Sequence, residues 1–407
     1  MAGEWTESAL GDVADVNWGD VGVTKASYVP VGYAAYSASG PDGFRAKYDF
    51  DRTGVVISAI GANCGQTWLA RGKWSCIKNT LRFWSNTSEV DSDYLYWATK
   101  RPEFWPRRGS AQPFISQGDA RAVRVSLPPF GEQKAIAELL GALDDKIELN
   151  RRMAETLEAM ARALFKSWFV DFDPVRAKAE GRPTGLPEPL TALFPARLTA
   201  DGLPEGWQRA SLLDFFDLEG GGRPKTSIPE YWGGDVPWFS VVDAPASGPY
   251  VLATERTLTA AGLASCAATL LPENATIITA RGTVGKLALV GRAMATNQSC
   301  YAAVARAGWG PLFIFFLMRS QVEKLQAQTH GSVFDTITKA TFAGATAIKP
   351  SLKLAVRFEL AATPLMARTK AATEQSRTLA ALRDTLLPKL ISGELRIRDA
   401  ERAVAAA

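Results

Sequence analysis

Residues 109–129 read GSAQPFISQGDARAVRVSLPP, and residues 331–351 read GSVFDTITKATFAGATAIKPS; the two align without a gap at an offset of 222. Gly109 and Ser110 fall on Gly331 and Ser332, Ile115 and Ser116 on Ile337 and Thr338, and Pro128 on Pro350. Upstream, ISAIGANCG (57–65) matches ITARGTVG (278–285) with one residue's difference. Each half then reaches an asparagine, at Lys78-Asn79 and at Asn297-Gln298. The halves also open alike, Trp5-x4-Leu10-x-Asp12 being echoed by Trp207-x4-Leu212-x-Asp214. Matches that recur in the same order mark a duplication, and a duplicated chain folds as like units. The length of 407 residues, too long for one ordinary core, agrees.

A two-faced helix follows the first copy. From Ile136 a seam runs through Leu140, Leu143, Ile147, Asn150, Ala154, Leu157, Ala161, Leu164 and Trp168, in steps that alternate four and three. That is the spacing of helices that pair along a seam. From about Gly131 to Phe169 the helix would be roughly 60 Å long. Adding 222 gives Phe358, Ala362, Leu365, Thr369, Ala372, Ser376, Leu379, Arg383, Leu386 and Leu390, a diluted copy. This second helix is the expected partner of the first, with Leu379, Leu386 and Leu390 on its seam. Pro364 is expected to kink or delay it, and Pro388 to disturb its final turn, because proline lacks an N–H and clashes with the preceding turn. Asn150, polar on an apolar seam, reads as a register-setter that costs stability.

Between the copies, residues 173–207 are rich in Pro and Gly and can turn the chain. The expected order is a first globular domain (1–129), a central long helix (130–172), a linker (173–203), a second globular domain (204–350), a C-terminal long helix (351–395) and a tail (396–407). Each globular part mixes β-rich runs (Val55–Ile60, Ala275–Ala280, Leu287–Val290) with shorter helices (Asp93–Lys100, Leu312–Ala327). The fold class is therefore α+β: two tandem, pseudo-symmetric domains, each followed by a long helix, the two helices packing as a coiled coil.

Composition narrows the function. The longest apolar run, PLFIFFLM (311–318), falls far short of the about 18 residues a membrane span needs. The N-terminus, MAGEWTESAL, shows no secretory signal. Cys64, Cys76, Cys266 and Cys300 are widely spaced, with no C-x-x-C, and fit a reducing cytoplasm. Net charge is +4, but residues 1–129 hold 14 Lys+Arg against 13 Asp+Glu, and 204–350 hold 12 against 11. Contact with nucleic acid must then come from local clusters.

Catalytic motifs fail at the residue their chemistry needs. The one histidine, His330, has no G-x-S-x-G or H-E-x-x-H beside it and reads as a loop residue. LPPF (127–130) has Leu127 where an amino-methyltransferase loop needs Asn or Asp to hold the target amine. ARGTVGKL (280–287) has Ala280 and Leu287 where a phosphate loop needs Gly and Ser/Thr. LEGGGRP (218–224) lacks the G-x-G-x-x-G spacing. PDGFRAK (41–47) places Arg45 where a nuclease needs a metal-binding carboxylate. No catalytic residue and no metal ligand is assigned.

Four stretches resemble the specificity (S) subunit of type I restriction–modification enzymes. PPFGEQKAIAELLGALDDKIELNRR (128–152) is similar to that family's central helix, and ALFKSWFVDFDPVRAKAEGRP (163–183) to the end of that region. PEGWQRASLLDFFDLEGGGRPKTSIPEYWGGDVPWFS (204–240) is similar to the opening of its second target-recognition domain, and LRDTLLPKLISGEL (382–395) to its C-terminal ending. With the repeat, the resemblance covers nearly the whole chain. It implies a non-catalytic subunit whose two domains each read one half of a bipartite site in double-stranded DNA. The paired helices would space the half-sites and dock two modification subunits, which carry S-adenosylmethionine and methylate adenine. Where two restriction subunits are present, they would bring ATP and Mg; this chain would bind no cofactor. The first domain has no EYWGGDVPW in sequence and offers YVPVGYAAYSASGPDGF (28–44) instead.

Base edges are read by Arg, Lys, Asn or Gln, and phosphates are held by cations, hydroxyls and backbone amides, which glycines let approach closely. In the second domain this selects Arg223, Lys225, Thr226 and Ser227 after the glycines, Arg281 and Lys286, Asn297 and Gln298, and Ser332 with Lys339. By repeat position the first domain offers Asn63, Gln66, Lys78, Asn79, Arg107, Arg108, Gln112 and Gln117; Arg45 and Lys47 join on chemistry alone. Any one of these is equally well a solvated surface group, so the loops count for more than their members. Trp84, Trp97 and Trp105 read as core. Two other readings compete: a stand-alone enzyme, weakened by the failed motifs, and a coiled-coil scaffold whose domains bind protein. A scaffold would not need the same Gly-cation-Asn loops twice.

Overall fold

The structure, a computed structural model, describes residues 5–327 and 336–405. It divides into two compact units, residues 1–147 with 378–407, and residues 148–377. Both long helices are shared between them. The central helix is Phe130–Phe169 and the C-terminal long helix Leu352–Ile391, 40 residues each.

In the first unit, an antiparallel sheet runs in the order Ala14–Trp18, Thr80–Ser85, Gly54–Ser58, Thr67–Ala70. Its third strand, GVVIS, is buried at every position, so it reads as a continuous apolar run rather than an alternating one. A second sheet sets Gly40–Arg45, Tyr33–Ser37, Lys73–Cys76 and Phe50–Asp51 side by side. Strand Thr6–Ala9 pairs with Arg124–Leu127 and brings the two ends of the domain together. The core joins Val55, Ile57, Phe83, Tyr94 and Trp105 to Ile136, Leu140 and Leu143 of the central helix and to Leu386 and Leu390 of the C-terminal helix. Trp84, Trp97 and Trp105 are buried, as their helical or strand positions predict.

The second unit repeats this plan. Its sheet runs Phe216–Gly220, Cys300–Ala305, Thr276–Thr279, Leu287–Val290, Tyr250–Val251. A small sheet holds Thr257–Leu258, Trp232–Phe239 and Ala295–Thr296, and Gln208–Ser211 pairs with Thr346–Lys349. Strand Trp232–Phe239 has a structural counterpart where the sequence shows none: Tyr33–Ser37. Tyr36 lies parallel-paired to Cys76, and Phe239 to Thr296. Segment 173–203 turns the chain through Gly181, Gly185 and Gly202, all at positive φ, and also carries helices Asp173–Ala179 and Glu188–Thr191. Val175 and Phe194 bury themselves in the unit's core.

The helices pair antiparallel within each unit. In the first, Asp144 accepts from Arg383 and, at 2.7 Å, from Lys100 Nζ. In the second, Asn150 Nδ2 donates to Gln375 Oε1 at 2.9 Å, and Phe165 lies 5.3 Å from Phe358, ring centre to ring centre. On the seam, Ile136, Leu140, Leu143, Asn150, Trp168, Leu386 and Leu390 are buried, while Ile147, Leu157, Leu164 and Leu379 are half-buried at its flank. The aromatic that fills the seam's second half is Phe165, one residue beyond Leu164, because 3.6 residues per turn drift against a strict 3.5 repeat.

The C-terminal helix is neither delayed nor ended by its prolines. It runs unbroken through Pro364 and Pro388. Each proline forfeits one N–H bond, but both are exposed, and Phe358, Ala362 and Met366 are fully buried around the first while Leu386, Leu387 and Leu390 are buried around the second. Packing of that face outweighs a local proline penalty of about 3 kcal/mol. Residues 397–405 of the expected tail form a further helix, and Arg396 pairs with Glu132 at 3.2 Å.

Candidate nucleic-acid interface

Loops from three places converge at one end of the main sheet in the first domain, and backbone hydrogen bonds fix how they meet. Ser58 N–H donates to Gln66 C=O and Gly65 N–H to Ser58 C=O, closing the 59–65 loop. Ala59 N–H donates to Asn79 C=O, and Ile115 N–H to Ala59 C=O. The second domain makes the same four bonds: Thr279 to Lys286, Gly285 to Thr279, Ala280 to Ser299, and Ile337 to Ala280. One mouth is thus built twice from the same backbone connections.

Within the first mouth the structure brings together Asn63, Gln66, Lys78, Asn79, Arg107, Arg108 and Gln112, all exposed. Asn63 Nδ2 donates to Ala38 C=O at 3.1 Å, pinning this loop to the neighbouring hairpin. Asn79 sits at positive φ in the turn before strand Thr80–Ser85, a conformation asparagine tolerates. Arg107 lies against the Gly65 backbone. Arg108 is ion-paired with Asp119 at 2.5 Å. That bond and the Ser116 hydroxyl hold the Asp119 carboxyl down at about 2, so Arg108 is partly committed to the fold. Gln117 is half-buried and donates to Val16 C=O at 2.8 Å and to Asn17 Oδ1 at 3.1 Å. Arg45 and Lys47 stand apart, at the other end of the Tyr33–Ser37 and Gly40–Arg45 hairpin from Ala38, and Arg45 pairs with Asp49 at 2.6 Å.

In the second mouth Arg223, Arg281, Lys286 and Gln298 are exposed, and Asn297 is half-buried with its Oδ1 accepting from Ser299 N–H. Lys225, Thr226 and Ser227 follow Arg223 on an exposed bend, where Lys225 C=O accepts from Trp232 Nε1. Lys339 opens a short helix capped by Thr338, as Gln117 opens one capped by Ser116. His330 and Ser332 lie outside the described residues.

The register corrects two readings. Asn79 and Asn297 are not counterparts: Asn79 matches Ser299, and Lys78 matches Gln298. Nor do Gly221 and Gly222 open the backbone to phosphate. A Cβ on Gly221 would lie 1.8 Å from Asn297 O, and one on Gly222 2.5 Å from Ala268 N; glycine is there because protein already fills that space. Gly61 and Gly282, by contrast, lie at positive φ with open space where a Cβ would be.

Sequence reasoning missed the apolar members of the first mouth. Trp18, Val21 and Phe114 are exposed. It also missed Arg256, whose guanidinium lies 3.6 Å over the Trp232 ring. An exposed Val or Trp carries no signal of its own in a sequence. Burial pushes the thiols of Cys76 and Cys300 up to about 12, which leaves them unreactive. Among the described residues no helix is long and apolar enough to cross a membrane.

Two like domains, each presenting one loop mouth and each packed on a pair of long helices, define a tandem recognition protein. A family model described as the type I restriction modification DNA specificity domain matches the chain twice, over residues 2–159 and 204–353, and the chain belongs to that family. Among curated relatives, the type I restriction enzyme HindI specificity subunit of Haemophilus influenzae is 27% identical over 333 residues, 71% of this chain and 72% of the relative. The MjaIX specificity subunit of Methanocaldococcus jannaschii is 28% identical over 142 residues, 34% of this chain and 33% of that one. The crystal structure of a type I restriction-modification system S subunit from M. genitalium matches with a TM-score of 0.66 at 15% identity, over 95% of this chain and 96% of that one. At that identity the likeness is one of fold.

Proposed function

We propose that this chain is the DNA sequence-specificity subunit of a type I restriction–modification complex and catalyses nothing itself. Each domain reads one half of a bipartite site in double-stranded DNA through the loops of its mouth. The paired helices space the half-sites and dock two modification subunits, adenine methyltransferases that carry S-adenosylmethionine. Where two restriction subunits join, they supply ATP-dependent translocation and cleavage with Mg. The working place of such a complex is the cytoplasm.

One observation carries this reading: the mouth is built twice by the same backbone bonds and furnished with different side chains. Two readers of two different sequences require that combination, since phosphate and backbone contacts position a protein while base-facing side chains specify. The family match supports it, as do relatives named as specificity subunits.

The test is modified-base sequencing of DNA from cells that co-express this chain with its modification subunit. Methyladenine in a two-part motif with an unspecified gap is expected. A short continuous motif would mean one reader and overturn the proposal. No methylation, with the modification subunit shown to be bound, would favour a scaffold.

A further inference from the structure

We infer that Val21 and Arg223 are structurally equivalent specificity-determining residues, Val21 reading a thymine methyl group in one half-site and Arg223 a guanine edge in the other. The inference rests on the specificity-subunit reading and gives two of its residues definite base chemistry.

The equivalence comes from hydrogen-bond register. Trp18 pairs with Leu81, and Gly220 with Tyr301, as the last residues of matching strands. Next, Gly19 N–H donates to Thr80 C=O at 2.9 Å, and Gly221 N–H to Cys300 C=O at 3.4 Å. Then Asp20 N–H donates to Cys76 C=O, and Gly222 N–H to Thr296 C=O. Val21 and Arg223 are the residues that follow. They leave the fold at the same place.

Both are launched from fixed backbone. Asp20 Oδ1 accepts from Gly22 N–H at 2.9 Å, Val23 N–H donates to Asp20 C=O, and Lys78 N–H donates to Val23 C=O. On the other side, Gly221 and Gly222 are wedged against Asn297 and Ala268, and Trp238 Nε1 donates to Gly222 C=O at 2.9 Å. The side chains, however, are left largely to solvent. Val21 is 71% exposed. Arg223 is exposed, and its guanidinium has no partner among the described residues.

A rigid backbone with an unused side chain suits a base reader, because the side chain need not break internal bonds to engage DNA. In the major groove thymine shows a C5 methyl group, which apolar side chains contact, and guanine shows O6 and N7, which arginine clasps with both arms of its fork. The surroundings agree in character. The first mouth also exposes Trp18 and Phe114; the second adds Arg281 at the position of Ile60 and Lys286 at that of Gln66.

The experiment is modified-base sequencing with wild type, Val21→Ala, Arg223→Ala and Arg223→Gln, each co-expressed with the modification subunit. Arg223→Ala should make one guanine position degenerate in one part of the motif, with about tenfold lost discrimination there. Arg223→Gln should shift that position toward adenine, because glutamine pairs with adenine's N6 and N7. Val21→Ala should relax one thymine position in the other part. In each variant the untouched part reports that the protein is folded. A two-part motif unmoved by the variants, or relaxed at positions other than guanine and thymine, would overturn this assignment alone. A wild-type motif without two parts would overturn the specificity-subunit reading, and this assignment with it.

Discussion

The two domains meet the same structural demand with different chemistry where a short helix abuts a long one. In the first, helix Ser92–Thr99 has its own cap, Asp91, which accepts from Tyr94 N–H at 2.8 Å. The central helix then only ties the preceding loop. Gln133 Oε1 accepts from Asp91 N–H, and its Nε2 donates to Glu89 and Pro128 carbonyls. In the second, helix Pro311–Ala327 follows Gly310, which has no side chain to cap with. The long helix supplies the cap itself: Glu359 accepts from Leu312 N–H at 3.1 Å and from Phe313 N–H at 2.9 Å. Gly310 must stay small, because a Cβ there would lie 2.1 Å from the Glu359 carboxylate. The duplication preserved where the bonds are needed and let the residues that make them drift apart.

The largest expected difference lies in the cores. Phe358 meets Phe165, Trp168, Phe169, Phe313 and Phe316, whereas its repeat counterpart Ile136 packs among aliphatic residues and Trp, Tyr and Phe of the first domain. Phe358→Ala should cost about 4 kcal/mol and Ile136→Ala about 3 kcal/mol by denaturant unfolding. A larger loss at Ile136 would reverse the comparison.

The caps come next. Glu359→Ala should cost about 1–3 kcal/mol by stranding two backbone N–H groups. Burial raises the Glu359 carboxyl above its ordinary value, outweighing those two bonds, which pull it down. The folded state therefore holds the proton more tightly than the unfolded chain does. The stability tied to it is fully present below the unfolded value and is lost as pH rises through the folded one. Wild type should lose stability relative to Glu359→Gln as pH rises above the ordinary carboxylate range, because burial raises the Glu359 carboxyl. Gln133 does not titrate, so Gln133→Ala should shift stability equally across that rise; a pH-dependent shift there would blur the contrast.

The smallest expected effects compare two helix-opening residues. Gln117→Ala should lower stability by about 1 kcal/mol, since it removes bonds to Val16 and Asn17. Lys339→Ala should leave stability alone and reduce the slope of log affinity against log salt by about 1 in a DNA-binding titration. An unchanged slope would remove Lys339 from the interface.

The sequence made the duplication and the helix seam legible, because both are patterns that survive without coordinates. The 202-residue offset of the Trp5 and Trp207 openings grows to 222 by Ile115 and Ile337, since the second domain is longer between Phe239 and Thr279 than the first is between Tyr36 and Ser58. Across that drift, the shared residue type sets Asn79 on Asn297, two residues out of register. Glycines 221 and 222 looked like a ligand loop because crowding by Asn297 and Ala268, far along the chain, leaves no local signature. Pro364 looked like a helix breaker because its compensation is the burial of Phe358, Ala362 and Met366, a tertiary effect. Val21 drew no notice, because an apolar residue is informative only once it is known to be exposed.

The most direct test of the central claim is a domain exchange. Residues 1–129 would be replaced by the matching segment of a relative with a different known motif, and methyladenine sites mapped in cells that supply the modification subunit. Two independent readers predict that one part of the motif changes to the relative's while the other part and the adenine modification persist. A motif altered in both parts would contradict the account, as would one altered in neither.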